Sequence, residues 1–166
     1  MKNDYVTRAR QFVKEIAPMM DNRRDFYSVS RAVHEYETKH IYRRVTFCHG
    51  AVRCAIITSD YVIKWDYDTE SAKEYGGCVA ESRLWKKLKD SEYADLFAPI
   101  TCIRESGHYW YVMPRINGET PEHRISYYVN NAANEFLGSN HICDLHCQNW
   151  RLVRGKPVIF DYACSW

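Results

Sequence analysis

No apolar run in this 166-residue chain approaches the roughly 20 residues that a membrane-crossing helix needs. The opening segment MKNDYVTRAR also lacks the apolar stretch of a secretory leader. A cytoplasmic protein with no membrane partner is the expectation. Neither sign of charge dominates: 23 Lys and Arg stand against 21 Asp and Glu, for a formal charge of +2. Electrostatics therefore do not point to nucleic acid, although Arg43 and Arg44 make a local basic spot. The seven cysteines are odd in number and have no scaffold rhythm, which argues against a disulfide framework and for reduced thiols in a reducing cytosol. Internal repeats and low-complexity linkers are absent. What is there is an ordinary globular balance, 46% apolar and 27% charged, enough for one substantial core or two small lobes.

Two helical periods open the chain. Val6, Ala9, Phe12, Val13, Ile16, Ala17 and Met20 recur at three and four, then Phe26, Val29, Val33 and Tyr36 do the same. Pro18 should stop the first helix, with the break near Asp21 and Asn22. From Ile41 the pattern turns β-branched and aromatic: IYRRVTFC, AVRCAIIT and YVIKW, separated by short turns, predict a three-stranded meander. Gly76 and Gly77 precede a helix with Cys78, Glu81, Leu84, Trp85 and Leu88 on one face. PITCIRE and HYWYVM, joined at Ser106 and Gly107, complete a βββαββ order. The helical period returns in Ile125, Tyr128, Val129, Ala132, Ala133, Phe136 and Leu137, with Gly138 as the expected C-terminal cap. A hairpin of NWRLV and PVIF turns around Arg154, Gly155 and Lys156, and Asp161 follows it.

Two constellations carry chemistry. Lys64 sits in a strand flanked by apolar residues, and a buried ammonium needs a carboxylate or phosphate nearby. Glu81 lies on the apolar stripe of the next helix, where a carboxylate in turn needs a cation, so each charge accounts for the other; the simpler alternative is that Lys64 snorkels to an edge. The second constellation is DLHCQN, residues 144–149, with Asp161 twelve residues further on in VIFDYA. Phosphoryl transfer needs a carboxylate near the attacking hydroxyl and oxygen ligands for Mg²⁺, and DxxxxN followed by D supplies those parts. The hairpin between them should bring Asn149 and Asp161 side by side. His141, Cys143, His146 and Cys147 are zinc-ligand types crowded into seven residues, but no second well-spaced pair accompanies them.

VIK, the helical Glu, YWYVMP, DLHCQN and FDYA, in this order, resemble the lysine strand, helix C, hinge, catalytic loop and metal-binding motif of the protein-kinase-like superfamily. DLH in place of HRD is similar to the aminoglycoside phosphotransferase, choline kinase and RIO branches. The whole is most similar to the small early serine/threonine kinase domain of podophages. The resemblance covers about residues 41–166 and implies an α+β fold: a minimal bilobal kinase-like structure with a five-stranded antiparallel N-lobe (41–113), a reduced helical C-lobe (114–166) and an N-terminal helical extension (1–40). It implies ATP and Mg²⁺ as cofactors and a host protein as substrate, in the host cytoplasm. Lys64 would hold the α- and β-phosphates while paired with Glu81; Asp144 would take the substrate hydroxyl proton, with His146 orienting the loop; Asn149 and Asp161 would bind Mg²⁺. Backbone groups of Met113, Arg115 or Ile116 would meet adenine, since Pro114 has no N–H.

Three departures bear on this. Gly50 alone stands where kinases carry a glycine-rich loop, the five residues after Asp161 hold no activation segment or docking helices, and DYA replaces DFG. They leave two alternatives: a kinase-shaped protein that inhibits a host protein by binding, and a small-molecule kinase.

Overall fold

The computed structural model describes residues 4–20, 25–40, 45–50, 53–67, 77–142 and 144–162. It is a mixed α+β structure with an open five-stranded antiparallel sheet and, among the described residues, four α-helices. None of those helices is long and apolar enough to cross a membrane. The chain divides into two compact units, residues 1–78 with 101–115, and residues 79–100 with 116–166.

The first unit is built on the two amphipathic periods. Helix α1 (Asp4–Ile16) buries Ala9, Phe12, Val13 and Ile16. It gives way to a 3-10 turn (Ala17–Met19) holding Pro18, whose ring denies the α-helix its next hydrogen bond. Helix α2 (Phe26–Lys39) starts at Asp25, whose carboxylate accepts the Ser28 N–H at 3.0 Å, and buries Val29, Ala32, Val33 and Tyr36. The break expected at Asp21 and Asn22 lies outside the described residues. Strands β1 (Thr46–His49), β2 (Arg53–Ile57), β3 (Tyr61–Asp66), β4 (Thr101–Glu105) and β5 (His108–Pro114) lie in the order β1-β2-β3-β5-β4. The turn between β4 and β5 places Ser106 at φ 50° and Gly107 at φ 79°, the left-handed pair that a two-residue hairpin loop demands.

Because side chains alternate along a strand, β3 has two different faces. Tyr61, Ile63 and Trp65 join one core with the buried residues of α1 and α2, so the N-terminal helices cover this side of the sheet. Lys64 and Asp66 fall on the other side. There Asp66 accepts the Cys78 N–H with both carboxylate oxygens, at 2.9 and 3.1 Å, and so anchors the start of helix α3 (Gly77–Leu88).

The second unit is organised around the hairpin of β6 (Trp150–Val153) and β7 (Lys156–Ile159), whose turn holds Arg154 at φ 54° and Gly155 at φ 76°. Both edges of this short ribbon are occupied. The Ala98 N–H donates to Ile159 O at 2.8 Å along β7, and Glu119 exchanges two backbone hydrogen bonds with Leu152, at 2.9 and 3.0 Å, along β6. The helix expected from Ile125 to Leu137 is interrupted: a 3-10 turn (Ile125–Tyr127) is followed by α4 (Asn131–Ser139). Asn130 causes the break, since its side-chain oxygen accepts the Ala133 N–H at 2.8 Å and starts a new helix. Gly138 is not the cap either. It lies inside α4, and the end is set by Asn140, which bonds Phe136 O at 2.9 Å, and by His141 at φ 56°.

These two details make a paired prediction. A Cβ on Gly118 would sit 2.4 Å from Leu152 O and 2.9 Å from its carbonyl carbon, so Gly118→Ala must push apart the Glu119–Leu152 pairing. The expected loss is about 2–3 kcal/mol in urea unfolding. Gly138 has nothing within 4 Å of such an atom. Gly138→Ala is therefore expected to stabilise by up to about 1 kcal/mol through helix propensity.

Candidate functional site

The expected site residues divide between the two units, and each unit is described by itself. In the first, Lys64 is 7% exposed near the middle of β3, opposite Ala55 of β2 and Tyr111 of β5. Burial, reinforced by nearby Cys102, Cys78 and Asp66, pushes the Tyr111 phenol well above its usual range. Met113, 2% exposed, is the next-to-last residue of β5. The Arg115 N–H is already given to Asp60 O at 2.8 Å, and its guanidinium donates to Thr58 O at 2.9 Å. Both bonds hold the chain after β5 on the β2–β3 turn, so the N–H expected as a ligand donor is engaged within the fold. Among the described residues the Ile116 N–H has no such partner.

In the second unit the structure brings Asp144, His146, Asn149, Asp161 and Glu81 into one connected arrangement. Asn149 is 6% exposed, and its Nδ2 donates to Asp144 O at 2.7 Å. That bond closes residues 144–149 into a tight loop and leaves the amide Oδ1 without a donor among the described residues. Asn149 O accepts the N–H groups of Phe160 and Asp161 at 3.0 and 3.3 Å. The two candidate metal ligands are thus neighbours, as the hairpin predicted. Below the loop, Trp150 is fully buried and donates from Nε1 to Leu145 O at 3.2 Å.

Asp144 and His146 are exposed, which suits groups that must meet a substrate. His146 Nδ1 accepts the Gln148 N–H at 3.3 Å, so the hydrogen of a neutral ring sits on Nε2, which lies 3.5 Å from Asp144 Oδ1. Glu81 is fully buried, and its Oε1 accepts the Tyr162 N–H at 3.2 Å. One residue separates that contact from Asp161.

Tyr162 itself is 1% exposed and donates its hydroxyl to Ala98 O at 3.1 Å. Burial first, and the Glu81 charge second, raise its phenol far above the ordinary range. This sets a pH dependence. Below about pH 10 the tyrosine is protonated in both folded and unfolded chains; above it the unfolded chain releases the proton while the folded one keeps it. Stability should then fall by up to about 1.4 kcal/mol per pH unit for this group. Urea midpoints between pH 9 and 11 measure the slope, and Tyr162→Phe should reduce it by one tyrosine's share.

An oxygen-only pair from an amide and a carboxylate suits a hard divalent cation such as Mg²⁺. Of the crowded zinc-type residues, Cys143 lies outside the described residues, and among those described no three His, Cys, Asp or Glu side chains converge. Sequence reasoning missed three contributors: Trp150, Arg151 and Tyr162. Alternation along NWRLV marks Trp150 as inward-facing, but no local pattern signals the roles of the other two. No model of a known protein family matches the chain, and no curated protein matches it in sequence.

Proposed function

We propose that this protein is an ATP- and Mg²⁺-dependent phosphotransferase of the protein-kinase-like type, acting on a protein hydroxyl. One observation carries the reading. Asn149 ties the loop that presents Asp144 to the segment that presents Asp161, through its side chain on one side and its carbonyl on the other. A solvent-facing carboxylate beside a pair of oxygen ligands is what transfer of a phosphoryl group to a hydroxyl requires. The Glu81 contact to Tyr162 adds support, since it brings the buried acid of the motif set to within one residue of Asp161.

In this reading Asn149 Oδ1 and the Asp161 carboxylate hold Mg²⁺, which when bound neutralises charge on the phosphates. Asp144 orients the incoming hydroxyl and takes up its proton as the oxygen attacks the γ-phosphorus and the bond to the β-phosphate oxygen breaks, with ADP as the leaving group. His146 presents Nε2 toward Asp144 and so limits the orientations of that carboxylate. Lys64 is assigned to the phosphates as a charge held on a strand. The test is incubation of the chain with γ-labelled ATP, Mg²⁺ and cell lysate, beside an Asp161→Ala control. Labelled protein that appears only with the unmodified chain is expected. If no label transfers and ATP binds equally with and without Mg²⁺, a binding protein of the same shape is the better account.

A further inference from the structure

Arg151 is the second residue of β6 and belongs to none of the motifs above. Its Nη1 donates to two backbone carbonyls, Cys147 O at 2.9 Å and Trp150 O at 2.8 Å. The same guanidinium lies 5.4 Å from the centre of the Phe160 ring. Among the described residues no carboxylate pairs with it. A surface arginine in a strand ordinarily extends into water or meets an acid. This one is turned back along the chain, half-buried, with its charge spent on peptide oxygens and an aromatic face.

Those three contacts have a common consequence. Cys147 is in the loop that carries Asp144 and His146, Trp150 is where that loop enters the hairpin, and Phe160 is the residue before Asp161. Asn149 joins the loop to residues 160 and 161 through its own carbonyl. Arg151 makes a second and independent join, from the flank. Two attachments fix the angle between the segments, whereas a single hydrogen-bonded point allows the loop to swing. The guanidinium serves both carbonyls from Nη1 and sets its delocalised charge over the Phe160 ring; a lysine ammonium can donate to the carbonyls, but its compact, strongly hydrated charge meets the ring less well.

We infer that Arg151 is a positioning residue: it holds the 144–149 loop against the segment leading into Asp161, and so keeps the hydroxyl-activating carboxylate in register with the metal ligands. The chemical consequence rests on the phosphotransferase reading; the loop-holding role does not, and the experiment separates them.

The full-length chain is compared with Arg151→Ala, Arg151→Gln and Arg151→Lys. The first readout is the rate at which iodoacetamide alkylates Cys147, resolved by peptide mass spectrometry and divided by the rate at Cys48, which is exposed on β1 in the other unit. Cys147 is itself exposed, so its rate reports the setting of the thiol and not its access; loss of the bond to its carbonyl should change the Cys147 ratio by at least about twofold in the alanine variant, with a smaller change in the lysine variant. The second readout is transfer kinetics, where kcat should fall about tenfold and the KM for ATP should stay within about twofold. Methylguanidine added to the alanine variant should recover part of both.

An unchanged Cys147 ratio in a folded alanine variant overturns the inference; if that variant does not fold, an unchanged ratio in Arg151→Gln does the same. A changed ratio with unaltered kcat overturns the positioning of the reacting groups. If the unmodified chain transfers no phosphate, the functional proposal fails on its own, and the alkylation ratio still decides whether Arg151 holds the loop.

Discussion

Asp161→Ala is expected to abolish phosphate transfer and to remove the Mg²⁺ dependence of ATP binding, while Asp144→Asn leaves that binding intact and loses only the transfer. The split follows from where the two carboxylates stand. Asp161 stands two residues beyond the end of β7 and is held beside Asn149, the other proposed oxygen ligand, by the backbone bond to Asn149 O. Removing its carboxylate takes half of that oxygen pair away. Asp144 contributes its backbone carbonyl to the loop, through the Asn149 bond, and its side chain to solvent and His146. Asp144→Asn keeps the carbonyl and hence the loop, and loses only the ability to accept a proton. A rate loss of about 10²–10⁴ in kcat is the range for a removed general base. Calorimetry with and without Mg²⁺, run beside the transfer assay, distinguishes the two variants. If Asp144→Asn lost nucleotide binding as completely as Asp161→Ala, Asp144 would be holding the site together and its role as a base would fall.

The second large effect concerns stability. Trp150→Ala should cost the fold about 3–5 kcal/mol, the range for removal of a fully buried large aromatic. The ring has no exposed surface, meets Tyr128 edge-on with centroids 5.5 Å apart, and carries the Nε1–H that satisfies Leu145 O. Loss of the indole therefore opens a cavity under the hairpin and leaves a loop carbonyl without its donor. Trp150→Phe separates these contributions. It keeps most of the volume and drops the hydrogen bond, for an expected loss of about 1–2 kcal/mol. Urea titration followed by far-ultraviolet circular dichroism measures both. A loss below about 1 kcal/mol for the alanine variant would mean that the hairpin and its loop do not depend on this anchor.

How much of this could be read in advance depends on the range of the interaction concerned. The βββαββ order and both tight turns were legible because alternation, β-branching and glycine at left-handed positions act within a few residues. The adjacency of Asn149 and Asp161 was legible for the same reason: a two-residue turn sets the register of the hairpin, so the residues flanking its strands must meet. The uninterrupted helix from Ile125 was misread because the apolar spacing runs on across Asn130, while the break comes from an asparagine cap that spacing alone does not weigh. Gly138 was misread as a cap because glycine often ends helices, yet here Asn140 supplies a side-chain donor to a terminal carbonyl and the helix continues through Gly138.

The sequence by itself determined the two N-terminal helices, the strand order, the strand on which Lys64 lies and the loop that holds Asp144 and Asn149. Local sterics and the alternation of side chains decide those features. Only the tertiary structure decided that α1 and α2 share a core with the face of β3 opposite Lys64, that the Arg115 N–H is spent on Asp60, and that Glu81 receives the Tyr162 N–H across 81 positions of sequence. Contacts of that kind leave no periodic trace. They form because buried polar groups must find partners once packing has removed water, and the partner is whichever group the completed fold brings within reach.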